Sequence, residues 1–324
     1  MKYVINDQQG KAQFYFALIV FINLVILSVI ITGIIIGIKG YIADTKFAYG
    51  AVTCCGSICL KCFFTLHTLA MALLWICIVT LFIGLCRAIH KTFYMLFWNY
   101  RSLRSLTPLS IESQPKFKKF LLPLHLYNRL VLFDHSELHC AFTSGLWKPK
   151  IYLSSSICSH LTTKELLAVI LHEIHHKTNK DPLKLFVIQI LYAFNFFLPI
   201  NQYLLHRYSS ASEKAADDNA INFSCEPLDL ASALVKIFKS HRMAVIYPLA
   251  LPFTGENIVE DRIRRLLETQ TVSLSSGKPY NICLSSLLSL FITLTVCLPL
   301  FYKPFINTDT IGCKTRVCHM FKCG

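Results

Sequence analysis

The sequence predicts a mainly α-helical membrane protein with three transmembrane helices, one re-entrant or interfacial segment and a small α+β domain. Hydrophobic residues make up 54% of its 324 residues and charged residues only 15%, whereas a soluble domain averages about 45–50% and 25%. The formal net charge is +14, with the basic residues scattered along the chain. Scattered basic residues are typical of the flanks of membrane spans, so we expect no nucleic-acid partner.

Three apolar runs are long enough to cross a membrane. Residues 14–38 form an uncharged run of 25 residues, residues 63–86 one of 24, and residues 282–301 one of 20. About 20 apolar residues in a helix cross the roughly 30 Å hydrocarbon core of a bilayer. The first run is too long for the apolar region of a signal peptide, and no cleavage site follows it. We therefore expect it to be an anchor.

The basic residues predict which side of the membrane each segment occupies. Residues 87–119 hold seven Lys and Arg against one acidic residue, which is typical of a cytoplasmic flank. The N-terminal tail (1–13) and the central region (87–281) are then cytoplasmic, while the loop 39–62 and the tail 302–324 are external. The external segments carry two cysteine clusters: Cys54, Cys55, Cys59, Cys62, Cys313, Cys318 and Cys323. Seven is an odd number, so these cysteines cannot all pair within the chain.

A fourth apolar stretch, residues 185–200, differs from the three predicted spans. It has 16 residues and contains Gln189, Asn195 and Pro199. A stretch this short and polar favours a re-entrant or interfacial segment over a complete crossing.

Residues 161–177 contain the start of a helix and a metal-binding motif. Thr162 and Glu165 have the spacing of a capping box, which marks a helix N-terminus. Residues 172–176 read His-Glu-Ile-His-His, an H-E-x-x-H motif. The sequence therefore predicts that the motif lies on a capped helix.

The motif predicts a zinc site with a general base beside it. His172 and His176 are four residues apart, so both imidazoles project from one helix face and can bind one zinc ion. Glu173 follows His172 directly and is the candidate catalytic residue, acting as general base on the attacking water. His175 lies off this pair, and we expect it at the surface or supporting a ligand.

A third ligand is expected on a second helix, in residues 209–220. Glu213 and Asp217 are four residues apart there. Glu213 would complete a His, His, Glu site with one open position, and Asp217 would accept a hydrogen bond from the distal N–H of a ligating histidine. The alternative is a solvated acidic helix face, which the combination with H-E-x-x-H disfavours. Because ligands lie on both sides of residues 185–200, that segment must return to the side on which it enters.

Two short strands are predicted ahead of the motif helix. They are residues 129–133 and 150–153, joined by a loop that carries Gly145 and Pro149. A protease needs an edge strand beside its metal, so that an extended substrate can pair with it. Residues 151–153 are the candidate, and a plain core strand is the alternative.

Five segments of the chain together resemble a known family over about residues 125–270. They read AFTSGLWKPKIYLSSSI, TTKELLAVILHEIHHKTNKDPLKL, FNFFLPIN, SEKAADDNA and ENIVEDRIRRLL. The chain resembles the integral-membrane zinc metallopeptidases of the β-lactam-sensor antirepressor family. The resemblance implies a gluzincin-type zinc endopeptidase in the bacterial cytoplasmic membrane. It also implies that the protease domain faces the cytoplasm and cleaves a protein substrate in regulatory proteolysis or signalling.

The resemblance also implies roles for individual residues. It assigns His172, His176 and Glu213 to one zinc ion and Glu173 to catalysis. Family sensors carry a penicillin-binding domain after the last span, whereas 23 residues follow Phe301 here. We therefore expect no β-lactam sensing by such a domain.

Two other functions remain as alternatives. One is a membrane protease of the HtpX or CAAX-processing type, which shares both motifs but has longer membrane hairpins between them. The other is a non-catalytic receptor or scaffold that contains zinc for structure only. The presence of Glu173 disfavours the second alternative, because a structural zinc site does not need a base.

Overall fold

A computed structural model describes residues 2–52, 58–110, 130–134, 139–223, 226–240, 256–267 and 287. These residues form the helices α1 (Lys2–Val52), α2 (Ile58–Arg104), α3 (Ser155–His160), α4 (Thr163–Thr178), α5 (Asp181–Phe194), α6 (Ile200–Asn222), α7 (Pro227–Ser240) and α8 (Glu256–Leu267). The strands are β1 (Pro108–Leu109), β2 (Leu130–Phe133), β3 (Ala141–Ser144) and β4 (Lys150–Ser154). The protein is therefore mostly helical with a small sheet, as predicted.

Among the described residues, two helices are long and apolar enough to cross a membrane, namely the segments Asp7–Lys39 of α1 and Leu74–Arg104 of α2. The first contains the predicted span 14–38 and the second overlaps the predicted span 63–86. Helix α1 continues to Val52 and α2 begins at Ile58, so much of the predicted loop 39–62 is helical. The third predicted span, 282–301, lies outside the described residues except for residue 287.

The chain divides into two compact units. The first comprises residues 1–20, 88–193 and 200–278, and it contains the sheet. The second comprises residues 21–87, 194–199 and 279–324. Each unit is held together by its own packing.

The second unit contains the turn between α5 and α6. Within it, Asn195 Nδ2 donates a 2.6 Å hydrogen bond to Asn23 Oδ1 of α1, and both residues are buried. A Cβ on Gly84 of α2 would lie 2.6 Å from the Phe194 carbonyl oxygen, so no larger residue fits there. Within the stretch 185–200, residues 185–194 thus belong to α5, and residues 195–199 form the turn that leads into α6. The re-entrant or interfacial position of this stretch stays a prediction.

The sheet has the strand order β1-β2-β4-β3. Strands β1 and β2 are antiparallel, β2 and β4 are parallel, and β3 and β4 form an antiparallel pair. The predicted strands 129–133 and 150–153 are confirmed as β2 and β4. The prediction that residues 151–153 form an edge strand is wrong, because β3 pairs with β4 along its outer side. All four residues of β3 are buried, and its sequence lacks the alternation of apolar and polar residues from which a strand is predicted.

The two faces of the sheet bury different side chains. One face packs against α3, α4 and α7 through an aliphatic cluster that includes Leu130, Ile151, Leu153, Ile157, Leu166, Ile170 and Ala233. The other face carries the stacked rings of Phe142 and Tyr152, with Phe133 beside them. Burying each large apolar side chain contributes about 1.5–3 kcal/mol. This packing holds α4 against the sheet.

The capping box predicted for α4 is present. Thr162 Oγ1 accepts a hydrogen bond from the Glu165 amide, and the Thr162 amide donates to Glu165 Oε2. Lys236 Nζ of α7 lies 2.8 Å from the same carboxylate, to which Ser232 also donates. Burial opposes ionisation of Glu165, but the hydrogen bonds from Lys236, Ser232 and Thr162 outweigh it and lower the pKa to about 2.

We predict that Glu165→Gln lowers the free energy of unfolding by about 0.5–1 kcal/mol at pH 7. Glutamine keeps an acceptor for the Thr162 amide but loses the charge that faces the partly exposed Lys236. The pKa of Glu165 is depressed in the folded state, so its contribution is complete above its ordinary value of 4.5 and is lost as the pH falls toward 2.

Thermal unfolding of the detergent-solubilised protein between pH 2 and pH 7 measures this difference. Wild type and Glu165→Gln should converge at low pH, while the surface control Glu226→Gln should match wild type throughout. A gap that stays constant with pH would contradict the prediction.

Candidate metal centre

Helices α4 and α6 bring three candidate ligands together in a buried cluster. His172 and His176 lie on α4, and Glu213 lies on α6. The two Nε2 atoms are 3.1 Å apart, and the Glu213 carboxylate oxygens lie 3.3 Å from His172 Nε2 and 3.5 Å from His176 Nε2. A tetrahedral zinc ion with bonds of about 2.0–2.1 Å separates its ligand atoms by roughly 3.3 Å. The donor set and its spacing therefore fit one zinc ion.

The residues around Glu213 explain how α6 approaches α4 so closely. The buried surface of α6 consists largely of small side chains: Ser209, Ser210, Ala211, Ser212, Ala215, Ala216 and Ala220. Such side chains allow two helix backbones to come near each other. Glu213 is thus held at the α4–α6 contact with only 3% of its surface exposed.

Each histidine is oriented by an aspartate at its other ring nitrogen. Asp217 Oδ1 lies 3.0 Å from His172 Nδ1, and Asp181 Oδ2 lies 2.8 Å from His176 Nδ1. These contacts hold both Nε2 atoms toward the cluster, as is usual for metal-binding histidines. The position of Asp217 is the one that its predicted role requires, whereas Asp181 was not predicted.

Asp181 reaches His176 because the chain turns sharply between α4 and α5. Lys180 adopts a left-handed conformation with φ 53°, and α5 begins at the next residue. Ser212 Oγ and Tyr208 OH of α6 also donate to Asp181, at 3.0 and 3.4 Å. In the sequence, Asp181 stands directly before Pro182, shortly after the H-E-x-x-H motif. That position does not by itself indicate that Asp181 contacts His176.

A buried arginine binds both Glu213 and Asp217 of α6. Arg262 of α8 is 1% exposed. Its Nη1 lies 2.6 Å from Glu213 Oε2, and its Nε and Nη2 lie 2.9 and 2.7 Å from the two oxygens of Asp217. Two further ion pairs of 2.6 Å join the same helices, between Lys214 and Asp261 and between Arg265 and Asp218.

These contacts keep the carboxylates ionised although they are buried. Burial raises the pKa of Glu213, but the Arg262 charge and the hydrogen bond to His172 outweigh it and lower the pKa to about 2. The pKa of Asp217 is lowered in the same way. Both groups are therefore negative at neutral pH and favour a cation in the cluster.

The surroundings of His172 and His175 on α4 shift the pKa values of these two residues in opposite directions. Burial opposes the charged form of His172, but hydrogen bonds to Asp217 and Glu213 raise its pKa to about 9. Burial and the nearby His176 lower the pKa of His175 to about 4, and its Nε2 lies 3.0 Å from Gln9 Oε1 of α1. A metal ion held by the cluster would require the neutral form of His172, while His175 lies outside the ligand set.

Glu173 is buried beside the cluster but is not part of it. Thr143 Oγ1 of β3 lies 2.8 Å from Glu173 Oε2. Cys140 lies at the start of the same strand, and burial together with the Glu173 charge raises its pKa to about 12. Cys140 is therefore a neutral thiol at physiological pH.

Membrane-length helices and a buried His, His, Glu cluster fit a membrane-attached, metal-dependent protein. The family model described as BlaR1 peptidase M56 matches residues 60–265, which is more than half of the chain. The chain therefore belongs to the M56 peptidase family, and the resemblance identified from the sequence motifs is confirmed. A search of curated proteins finds no match for the chain.

We predict that Arg262→Met lowers the free energy of unfolding by about 3–5 kcal/mol, because it leaves two buried carboxylates without their cation. The matched control is Arg264→Met on the same helix. Arg264 is half-exposed and pairs only with the exposed Glu260 in the described structure, so its loss should stay below about 0.5 kcal/mol. Denaturant unfolding in detergent compares them, and equal losses would contradict the role given to Arg262.

Proposed function

We propose that the protein is a membrane-bound zinc endopeptidase that hydrolyses peptide bonds of a protein substrate. In this proposal His172, His176 and Glu213 hold one Zn²⁺ ion and Glu173 is the general base. The supporting observation is the buried cluster of three donor groups separated by 3.1–3.5 Å. Membership of the M56 peptidase family supports the same reaction class.

The proposed reaction is divided between the metal and the protein. Zinc supplies Lewis-acid chemistry, which makes water nucleophilic at neutral pH and polarises the scissile carbonyl. Glu173 accepts the proton of the attacking water and then donates it to the leaving amine. Asp217 and Asp181 keep the ligating histidines in one tautomer and one orientation, while Arg262 balances the charge of Glu213 and Asp217.

The substrate strand is proposed to pair with β3. In the described residues β3 is an edge strand, bonded to β4 on one side. It lies beside the motif helix, since Thr143 of β3 contacts Glu173 of α4. An extended peptide that adds to the outer edge of β3 would place its backbone near the base. Strand β3 thus replaces residues 151–153 as the candidate.

The membrane arrangement is part of the proposal. We retain three spans, a gluzincin-type protease domain facing the cytoplasm of a bacterial inner membrane, and regulatory proteolysis as the cellular role.

Helix α5 has 14 residues, about 21 Å of helix, which is too short to cross a bilayer. The short α5 disfavours the alternative of an HtpX or CAAX-processing type with long membrane hairpins. The buried Glu173 disfavours a receptor or scaffold with structural zinc.

Glu173→Gln should retain one zinc ion per chain and lose about 10²–10⁴-fold in the rate of peptide cleavage, because the general base is removed while all three ligands remain. Zinc content is measured by elemental analysis, and cleavage is measured with co-expressed membrane and cytosolic proteins. Glu260→Gln, at an exposed site on α8, is the matched control and should cleave like wild type. Undiminished cleavage by Glu173→Gln, or wild-type protein without zinc, would refute the proposal.

Asp181→Asn should raise the Kd for zinc about 10- to 100-fold, because His176 loses the negative partner that orients its ring. Competition with a chromophoric zinc chelator measures this constant. The control is Lys184→Met, which removes another contact of Asp181 but leaves the contact between Asp181 and His176 intact. An unchanged zinc affinity in Asp181→Asn would show that Asp181 does not support the metal ligand.

A further inference from the structure

Thr143 is a polar residue in a row of otherwise apolar side chains. The strand register aligns Leu130 with Ile151 and Ile151 with Thr143 across β2, β4 and β3. Leu130 and Ile151 belong to the aliphatic cluster that packs against α4. Thr143 ends this row on the edge strand, and it is 4% exposed. A threonine in this position needs a polar partner, because an unpaired buried hydroxyl is unfavourable.

The partner of Thr143 is the proposed general base. Its Oγ1 lies 2.8 Å from Glu173 Oε2 and 3.0 Å from the Glu173 carbonyl oxygen, and Glu173 is 1% exposed. A hydroxyl has one proton to donate, and a carboxylate is a stronger acceptor than a carbonyl. The hydroxyl therefore donates to Oε2, which leaves Oε1 to accept a proton from water.

The histidines and Glu173 are held from different directions. Asp217 and Asp181 reach the histidines from helical segments, whereas Thr143 reaches Glu173 from the sheet. The side chain of Thr143 contacts the base, and its backbone belongs to the strand proposed to bind substrate. One residue thus connects the position of the base with the position of the peptide.

We propose that Thr143 is a positioning residue that holds the Glu173 carboxylate for proton transfer through its hydroxyl. This inference rests on the proposed function, since it concerns the same site. It assigns to β3 a second role besides pairing with the substrate. Loss of the hydroxyl should slow the chemical step without removing zinc or weakening substrate binding.

The test compares Thr143→Val, which keeps the side-chain shape, with Thr143→Ser, which keeps the hydroxyl. Full-length protein in detergent is assayed with the quenched-fluorescent peptide that the wild type cleaves best in a random mixture. We expect Thr143→Val to lower kcat about 10- to 100-fold, in line with the loss of a hydrogen bond to a charged group. KM should change less than about twofold for a step limited by chemistry, with one zinc per chain retained.

Thr143→Ser and two further variants separate positioning from folding. Thr143→Ser should restore kcat to within about threefold of wild type. The matched control Thr178→Val removes a hydroxyl that bonds only to the Ile174 carbonyl oxygen in the described structure, at the exposed end of α4, and should leave kcat unchanged. Adding Thr143→Val to Glu173→Gln should cause no further loss, because a positioning residue has no effect once its base is absent.

Each outcome distinguishes the inference from the proposed function. Wild-type kcat in Thr143→Val, beside an active and zinc-dependent wild type, would overturn the inference alone. Equal losses in Thr143→Val and Thr143→Ser, or loss of zinc from Thr143→Val, would show a structural role and overturn it as well. A wild-type protein without zinc-dependent cleavage would overturn the proposed function, and the inference with it.

Discussion

The paired carboxylates Glu213 and Asp217 are buried on one helix face, and Arg262 is the cation that makes this arrangement stable. Two negative charges so close together and away from water would otherwise favour protonation of at least one of them. The guanidinium contacts both of them within 3 Å. The orientation of His172 depends on Asp217. Both this orientation and the position of Glu213 therefore depend on Arg262, which lies 45 residues after Asp217 in the sequence.

The path of the chain between α4 and α6 is a second constraint on the metal site. His176 and Glu213 are 37 residues apart in sequence, but His176 Nε2 lies 3.5 Å from Glu213 Oε1. Helix α5 must therefore lead the chain away from α4, and α6 must bring it back. The turn is held within its own unit by the Asn195–Asn23 hydrogen bond and by the absence of a side chain at Gly84. Polar contacts of this kind are favoured where water is excluded.

Local patterns predicted the elements whose structure depends on neighbours in sequence. The capping box set the start of α4, and the four-residue spacing placed His172 and His176 on one face, because helical periodicity alone determines both. The same spacing placed Glu213 and Asp217 together. Contacts over longer distances escaped sequence reasoning. Asp181 depends on a left-handed turn at Lys180, and β3 is too short and too uniformly buried to show a pattern.

From the sequence by itself, composition indicated a membrane protein, helical spacing indicated the candidate ligands, and the resemblance of several motifs indicated a metallopeptidase family. Spacing is informative here because it is a property of residues that are close in sequence. Only the tertiary structure decided what surrounds those ligands. It brought Arg262 to the acidic face of α6 and Thr143 to Glu173, and among the described strands it placed β3, not β4, at the edge of the sheet. These pairings depend on how helices and strands pack across long separations, which no local pattern encodes.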